Sequence, residues 1–294
     1  MHLRAPPRFP LHRLPLAHNA RHITTSTKLS SSPSTSTPPG SDSTSTSVDP
    51  TELSHFASLA TTWWDPHGPS RLLHLMNPLR HQFIRSCRSS TSTPPAPGPL
   101  TYLDIGCGGG IFAESAARLR TSSSVTALDP SHELIAIARS HARRDPSLAS
   151  KLTYLHTSID ALPPPADPRE GYDVVSLFEV VEHVQAPGPF LERCLPFVKP
   201  SGWLVLSTIA RTWTSWAVTK VMAEDVLRMV PRGTHEWERY VNEAELRAWF
   251  DGREGWGAAR AMGVVYVPGL GWKEVPGSET WGNYFFAVRR AEAD

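Results

Sequence analysis

The amino-acid sequence predicts an α/β fold in which helices cover both faces of a mostly parallel sheet. Between residues 100 and 209, short apolar segments alternate with longer segments whose apolar residues recur at helical spacing. A glycine-rich stretch, 106–110, directly follows the first apolar segment, as expected where a strand turns into a helix. Alternation of this kind is typical of parallel strands joined by crossover helices.

The predicted core spans residues 100–209 and consists of strands and helices in alternation. The strands are predicted at 100–105, 125–128, 152–156, 172–178 and 203–209, and the helices at 111–120, 131–144 and 190–198. Two later strands, 262–267 and 284–288, bring the predicted sheet to seven strands. They belong to a C-terminal part, 236–290, with one further helix at 242–250.

Two helices are predicted before the core, within residues 49–87, as an N-terminal extension. Asp49 has the features of an N-cap, because a proline follows at the first helical position and Glu52 lies in the first turn. A second helical segment covers 71–86. Residues 88–99 are rich in Ser, Thr and Pro and are predicted to form a loop.

The first 48 residues differ in composition from the rest of the chain. Up to Gly40 there is no Asp or Glu, and the basic residues are Arg4, Arg8, Arg13, Arg21 and Lys28. A Ser/Thr/Pro-rich tract follows. A basic, Ser-rich and acid-free start is typical of an organellar transit peptide, here a mitochondrial one, although a disordered basic tail has a similar composition. The folded domain is therefore predicted at 49–290.

Overall charge and cysteine content exclude several classes of protein. The chain has 294 residues and a formal net charge of +1, which predicts no general affinity for nucleic acid. Its three cysteines are scattered and fit neither a disulfide framework nor a zinc site. No apolar run approaches the roughly 18 residues of a membrane-spanning helix.

The glycine-rich loop is the first candidate binding site. Residues 103–110 read L-D-I-G-C-G-G-G, and Asp129 ends the next predicted strand. A carboxylate at that position can accept hydrogen bonds from both hydroxyls of a ribose, or it can cap the next helix. The loop resembles motif I of class I S-adenosylmethionine (AdoMet) methyltransferases, which have a Rossmann-like fold. Asp160, after the third strand, could contact an adenine amine.

Four further segments make the resemblance more specific. They are F-A-S-L-A-T-T-W-W-D-P-H-G at 56–68, L-H-L-M-N-P-L-R at 73–80, S-L-F-E-V-V-E-H-V at 176–184 and L-R-M-V-P-R-G-T-H-E-W at 227–237. In this order and spacing they resemble the ubiquinone biosynthesis O-methyltransferase family. The resemblance implies AdoMet as cofactor and polyprenylated phenols of the catechol type, among them polyprenyl-dihydroxybenzoate and demethylubiquinol, as substrates.

The resemblance also implies roles for individual residues. The cofactor contacts would be Arg80, Gly106, Asp129 and the backbone of Phe178, and a divalent cation such as Mg²⁺ would be bound by Glu179, Glu182 and His183. If a helical turn follows the fourth strand, these three side chains share one face. A cation there would lower the pKa of a phenol. Two alternatives are that His183 is a general base, and that Glu182 and His183 only cap and pair locally.

Three positions depart from the family pattern. Ala210 stands where the family has Asn, Ser201 replaces a glycine of K-P-G-G, and Y-V-P at 266–268 replaces Y-N-P. These differences affect the expected substrate pocket and leave the expected fold and cofactor unchanged.

Residues 210–235 are predicted to be an amphipathic insertion after the fifth strand. Within it, 212–230 has charged residues on one helical face and apolar residues on another, with Trp213 and Trp216 at its start. This pattern predicts a peripheral contact with the matrix side of the mitochondrial inner membrane, or a helix that packs on the core. Membership of a multi-subunit coenzyme Q biosynthetic complex is a further expectation.

Two other functions compete with O-methyl transfer. One is a non-catalytic AdoMet- or lipid-binding subunit of a coenzyme Q complex, which Ala210 favours. The other is an NAD(P)-dependent oxidoreductase, which the G-x-G-G-G loop and the lack of a second dinucleotide-binding half disfavour.

Overall fold

The computed structural model describes residues 47, 49–91, 98–211, 240–257 and 259–292. Apart from Ser47, the predicted leader lies outside these residues, as does the predicted amphipathic segment 212–230. The described residues form an eight-stranded sheet with helices on both faces.

The helices are α1 (Pro50–Leu59), α2 (Arg71–Ser89), α3 (Ile111–Ala117), α4 (His132–Ala142), α5 (Pro187–Cys194) and α6 (Glu243–Phe250). The strands are β1 (Leu100–Ile105), β2 (Ser122–Asp129), β3 (Leu152–His156), β4 (Tyr172–Phe178), β5 (Val198–Ile209), β6 (Arg260–Val267), β7 (Gly271–Glu274) and β8 (Asn283–Arg289). The strand order is β3-β2-β1-β4-β5-β8-β6-β7. The first five strands pair in parallel, and β8, β6 and β7 join them by antiparallel pairing.

The α/β class and the mostly parallel sheet are confirmed, but the sheet has eight strands where the sequence predicts seven. The additional strand, β7, is four residues long and carries Lys273 and Glu274, so it lacks the apolar pattern that identifies a strand. Its pairing with β6 in a hairpin stabilises it.

The two larger apolar cores of the described residues lie on opposite faces of the sheet because side chains alternate along each strand. In β8, Phe285 packs with residues of α2 and α3, whereas Phe286 packs with residues of α5 and α6. The same alternation occurs in β4, where Val174 and Val175 belong to different cores. Among the described residues, no helix is both long and apolar enough to span a membrane.

The N-terminal helix begins as the sequence predicts. The Asp49 side chain accepts a hydrogen bond from the Thr51 N–H (2.9 Å), and a proline occupies the first turn. At the other end of the domain, Asn242 and Glu245 form the predicted capping box of α6.

Ser201, which stands at a family glycine, adopts a left-handed conformation with φ of 64°. Its N–H donates to the carbonyl groups of Arg290 (3.1 Å) and Ala291 (3.2 Å), which fix this turn against the end of β8. A residue with a Cβ is strained in this conformation by about 1–2 kcal/mol.

We expect Ser201→Gly to raise the free energy of unfolding by about 0.5–1 kcal/mol, because relief of strain exceeds the added entropy of the unfolded chain. Ser140→Gly, the same change in the exposed part of α4, should lower it by about 0.5–1 kcal/mol. Urea unfolding of both variants measures the difference. A loss of stability in Ser201→Gly would show that the turn is not strained.

Candidate active site

A cavity of about 650 Å³ lies at the carboxyl ends of β1, β2 and β4. The glycine-rich loop and Asp129 line one part of it, and Glu179, Glu182 and His183 line another. Arg80 and Phe178 also line it, so the cavity brings together the predicted site residues except Asp160, which does not line it. Ligands of open α/β sheets bind at this edge.

The glycine-rich loop is anchored to β2 by its backbone. The N–H groups of Gly106 (2.8 Å) and Cys107 (3.0 Å) both donate to the Leu128 carbonyl. Gly106 has φ of 70°, and a Cβ at this position would lie 2.7 Å from the Val180 side chain. Only glycine therefore fits between this turn and the segment that follows β4.

Asp129 belongs to the loop site and does not cap α4. Its carboxylate accepts from the N–H groups of Gly108 (2.9 Å) and Ser131 (2.8 Å), while Ser131 itself is the N-cap of α4. Burial raises the pKa of Asp129. The structure therefore favours the binding interpretation of this aspartate over the capping one.

Arg80 lies in the wall of the cavity on α2, with only 4% of its surface exposed. Its guanidinium lies over the Phe178 ring, 4.8 Å from the centroid. No acceptor among the described residues bonds its Nε. Burial lowers the pKa of Arg80, and the carboxylates of Glu179, Asp104 and Glu182 oppose this shift. The buried Nε–H is therefore a donor that an acceptor group of a ligand in this cavity can satisfy.

Asp104, the penultimate residue of β1, is buried near Arg80. Its Oδ1 accepts a hydrogen bond from the Ser176 hydroxyl (2.7 Å). Burial raises its pKa to about 7, although the Ser176 hydrogen bond and Arg80 both oppose the shift. It lies two residues before Gly106 and, like Asp129, lines the cavity beside the glycine-rich loop.

Glu179 follows β4 in a left-handed conformation, with φ of 57°. Its N–H donates to the Ser207 carbonyl (3.1 Å), and its Oε1 accepts from the Ser207 hydroxyl (2.7 Å). Such backbone strain persists only where surrounding contacts hold it, and here β5 supplies them.

Glu182 lies in a 3₁₀ turn, 181–183, and is only 3% exposed. It accepts a hydrogen bond from the Thr208 hydroxyl (2.9 Å). Burial and the nearby charge of Glu179 raise the pKa of Glu182.

His183 forms an ion pair with Glu52 of α1, with 2.9 Å between Nδ1 and Oε2. Because a carboxylate only accepts hydrogen bonds, Nδ1 carries the proton and Nε2 is the nitrogen that can accept another. Burial lowers the pKa of His183, but the Glu52 hydrogen bond and the charge of Glu182 outweigh it, so the pKa is raised overall. Phe56 packs edge-on against the imidazole, with 4.9 Å between ring centroids.

The three predicted metal ligands have donor types that suit a divalent cation, but their arrangement does not. Each of the three side chains has a hydrogen-bond partner in the protein: Ser207 for Glu179, Thr208 for Glu182 and Glu52 for His183. Within the described residues, no group of three or more His, Cys, Asp and Glu is placed to hold a metal ion. The predicted α-helical spacing is replaced by the left-handed Glu179 followed by a 3₁₀ turn. The side chains as arranged therefore do not fit the cation that the resemblance implies.

The tryptophans of W-W-D connect the N-terminal helices to the glycine-rich loop. Trp64 Nε1 donates to the Gly109 carbonyl (2.9 Å), and its ring stacks on His141 at 3.5 Å between centroids. Trp63 lies against Gly109 so closely that a Cβ there would be 2.3 Å from its Cδ1. Its buried Nε1 has no acceptor among the described residues.

Asp160, the candidate contact for an adenine amine, accepts two hydrogen bonds from Ser47, one from its N–H (3.0 Å) and one from its hydroxyl (2.7 Å). Its neighbours Ser158 and Ile159 line the cavity. Ala210, at the family Asn position, is buried in an apolar core.

The sequence analysis did not assign a role to Glu52, which lines the cavity, or to Trp64, which bonds the glycine-rich loop from outside the lining. Glu52 was interpreted only as part of a helix N-terminus, and its partner is 131 residues away in the chain. The only sequence signal for Trp64 was the W-W-D motif, which carries no information about what its indole contacts.

Solved structures with the same fold are methyltransferases. The plantazolicin methyltransferase BpumL in complex with SAH is 18% identical, covers 82% of this chain and 97% of its own, and has a TM-score of 0.55. Magnesium protoporphyrin IX methyltransferase (ChlM) from Synechocystis PCC 6803 is 15% identical, covers 81% of this chain and 98% of its own, and has a TM-score of 0.56. At these identities the likeness establishes the fold.

Sequence relatives establish the family. A sequence model described as "Methyltransferase domain" matches residues 76–254. The mitochondrial ubiquinone biosynthesis O-methyltransferase of Schizosaccharomyces pombe is 42% identical, over 83% of this chain and 87% of its own length. The mitochondrial ubiquinone biosynthesis O-methyltransferase of Candida albicans is 37% identical, over 84% of this chain and 86% of its own length. The ubiquinone biosynthesis O-methyltransferase of Bradyrhizobium sp. is 42% identical, over 75% of this chain and 85% of its own length. The chain therefore belongs to the ubiquinone biosynthesis O-methyltransferase family.

Proposed function

We propose that this protein transfers the methyl group of AdoMet to phenolic hydroxyls of polyprenylated, catechol-type intermediates in ubiquinone biosynthesis, such as polyprenyl-dihydroxybenzoate and demethylubiquinol. The observation that carries the proposal is one continuous cavity that joins the glycine-rich loop and Asp129 to the His183–Glu52 pair. Its volume lies within the range of small-molecule sites. The names of the relatives support the substrate class.

AdoMet accounts for polar groups at one end of the cavity. Asp129 would accept hydrogen bonds from the ribose hydroxyls, and Gly106 allows the backbone to approach the ligand closely. The buried Nε groups of Arg80 and Trp63 lack acceptors among the described residues, and the AdoMet carboxylate would supply them. The Phe178 ring packs against the Arg80 guanidinium.

The other end of the cavity supplies the base. Methyl transfer forms a C–O bond as the C–S bond breaks, so the acceptor must lose its hydroxyl proton. A phenol of pKa about 10 is a weak nucleophile until deprotonated. His183 accepts this proton at Nε2, and Glu52 holds the tautomer and stabilises the imidazolium that forms. Glu179 lies beside them as a second acid at the acceptor end.

A divalent cation at Glu179, Glu182 and His183 is the alternative that the family resemblance implies. Bound there, it would lower the pKa of the phenol. We assign the proton transfer to the His183–Glu52 pair instead. Each of the three predicted metal ligands is hydrogen-bonded to a different protein group, which directs them away from a common centre.

The substrate and the leader support a location at the mitochondrial inner membrane. The fungal relatives are named as mitochondrial, and the acid-free basic start of this chain fits a transit peptide. A polyprenyl tail resides in the bilayer, so the enzyme would contact the matrix side as a peripheral protein. Membership of a multi-subunit coenzyme Q biosynthetic complex is part of the same proposal.

We expect Asp129→Asn to weaken binding of S-adenosylhomocysteine at least about tenfold, because hydrogen bonds to a charged group contribute about 1.5–3 kcal/mol. Calorimetric titration measures the affinity. Asp145→Asn is the matched control, since Asp145 caps a 3₁₀ turn after α4, away from the cavity lining. Equal affinities of Asp129→Asn and the unaltered protein would remove Asp129 from the cofactor site.

We expect His183→Asn to lower kcat by roughly 100- to 10,000-fold on a short-chain prenyl catechol, the range for general acid–base catalysis, with cofactor affinity unchanged. Glu52→Gln should lower kcat at least about tenfold, because the amide no longer stabilises the imidazolium. Initial rates and calorimetry separate the two effects.

The control for Glu52→Gln is Glu192→Gln, which neutralises an exposed acid paired with Arg253. Full turnover by Glu52→Gln would show that the pair does not serve as the base. No turnover by the unaltered protein, together with intact cofactor binding, would favour a non-catalytic subunit.

We expect dialysis against EDTA to leave at least about half of the turnover, because the base needs no cation. Rates with and without added Mg²⁺ measure this. Loss of turnover that Mg²⁺ restores would assign Glu179, Glu182 and His183 to a metal site and contradict the proposed base.

A further inference from the structure

Glu114 in α3 is a buried carboxylate that no step of the proposed reaction uses. Its side chain has no exposed surface, and a buried carboxylate is costly unless other groups bond it. Its partners are Arg118 (Nη2 to Oε2, 2.9 Å) and His141 of α4, whose Nδ1 lies 2.8 Å from Oε1 and 3.0 Å from Oε2. Because a carboxylate only accepts hydrogen bonds, Nδ1 of His141 carries the proton. Glu114 therefore fixes the tautomer and the direction of this imidazole.

The imidazole of His141 is the platform on which Trp64 rests. The two rings are stacked, with 3.5 Å between centroids and 5° between planes. His74 of α2 meets the Trp64 ring edge-on, at 5.3 Å between centroids. Contacts from α2 and α4 thus set the orientation of the indole, and in this orientation Nε1 donates to the Gly109 carbonyl (2.9 Å).

The glycine-rich loop needs such a contact because its sequence does not favour one conformation. Glycine loses more conformational entropy on folding than any other residue. Hydrogen bonds to Leu128 and Asp129 hold residues 106–108. The next residue, Gly109, is held at its carbonyl by Trp64. Three glycines of the loop have positive φ, namely Gly106 (70°), Gly108 (54°) and Gly110 (91°).

The residue before Trp64 connects this contact to the cavity. Trp63 lines the cavity, and a Cβ on Gly108 would lie 2.5 Å from its Cζ2. Its carbonyl accepts a hydrogen bond from His74 Nε2 (2.9 Å). Its buried Nε1 has no acceptor among the described residues. Because the two tryptophans are consecutive, the contacts that orient Trp64 also restrict the direction from which the Trp63 N–H meets a ligand.

We propose that Glu114, His141 and Trp64 form a positioning cluster that holds the glycine-rich loop and Trp63 in the arrangement that binds AdoMet. None of the three lines the cavity, so they act through the loop and not by touching the ligand. A protein whose binding-competent conformation is only partly populated has a proportionally weaker affinity. The cluster therefore raises the affinity for the cofactor and leaves the rate of methyl transfer to the residues of the cavity. This inference rests on the proposed function in taking AdoMet as the ligand.

Trp64→Phe tests the contact with the loop, because it keeps an aromatic ring on His141 and removes the N–H that bonds Gly109. We expect the Kd of S-adenosylhomocysteine to rise about threefold to tenfold, the effect of losing one hydrogen bond. Calorimetric titration of the full chain measures it. The matched control is Trp249→Phe in α6, a half-buried tryptophan outside the cavity lining, which should bind like the unaltered protein.

His141→Leu removes the stack and leaves Arg118 as the partner of Glu114. By itself it should raise the Kd about threefold to tenfold, the worth of one aromatic pair. In the Trp64→Phe background it should add less than about twofold, because His141 acts on the loop through the Trp64 N–H. Glu114→Gln, whose amide oxygen still accepts from Nδ1, should retain more of the affinity than Glu114→Ala.

Kinetics separate positioning from a purely structural role. In Trp64→Phe and His141→Leu, the KM for AdoMet should rise with the Kd, while kcat on a short-chain prenyl catechol at saturating AdoMet stays within about twofold. Loss of fold stability would do the opposite. It would reduce the number of active molecules, so kcat and the binding stoichiometry would fall while Kd and KM stayed the same.

Three results would overturn the positioning cluster: an unchanged Kd in Trp64→Phe, additive losses in the double variant, and an equal loss in Trp249→Phe. Binding of S-adenosylhomocysteine by the unaltered protein without turnover of the catechol would overturn the proposed function alone, since the calorimetry still decides the cluster. A lack of binding by the unaltered protein would overturn both.

Discussion

The parallel pairing of β1, β2, β4 and β5 is the constraint on which the site depends. Because parallel strands end at one edge of the sheet, Asp129 at the end of β2 and Phe178 at the end of β4 face the same cavity. The backbone hydrogen bonds from the glycine-rich loop to Leu128 hold the loop at that edge. β5 adds the hydroxyls of Ser207 and Thr208, which donate hydrogen bonds to Glu179 and Glu182.

The N-terminal helices complete a site that the sheet only begins. α2 contributes Arg80, and the segment after α1 contributes the tryptophans that contact the glycine-rich loop. α1 itself contributes Glu52 to His183. The two ends of the cavity are thus both covered by the same part of the chain.

At the acidic end of the cavity, hydrogen bonds fix the directions of side chains that two different chemistries could use. Two carboxylates and an imidazole could bind a cation or activate a proton acceptor. The left-handed conformation at Glu179 turns its side chain to Ser207, and the 3₁₀ turn directs Glu182 to Thr208. His183 then has Glu52 as its partner, an arrangement that favours proton transfer.

The sequence by itself determined the α/β class, the alternation of strands and helices up to β5, the glycine-rich loop and a set of candidate residues that line the cavity, because each depends on local periodicity or on a motif with fixed spacing. It could not supply β7, since four residues without apolar alternation become a strand only by pairing with β6. It could not supply Glu52 either, because 131 residues separate it from His183 and only folding brings the two side chains within 2.9 Å. The hydrogen-bond partners of Glu179, Glu182 and His183 likewise depend on side-chain directions, which spacing alone does not fix and which only the tertiary structure supplies.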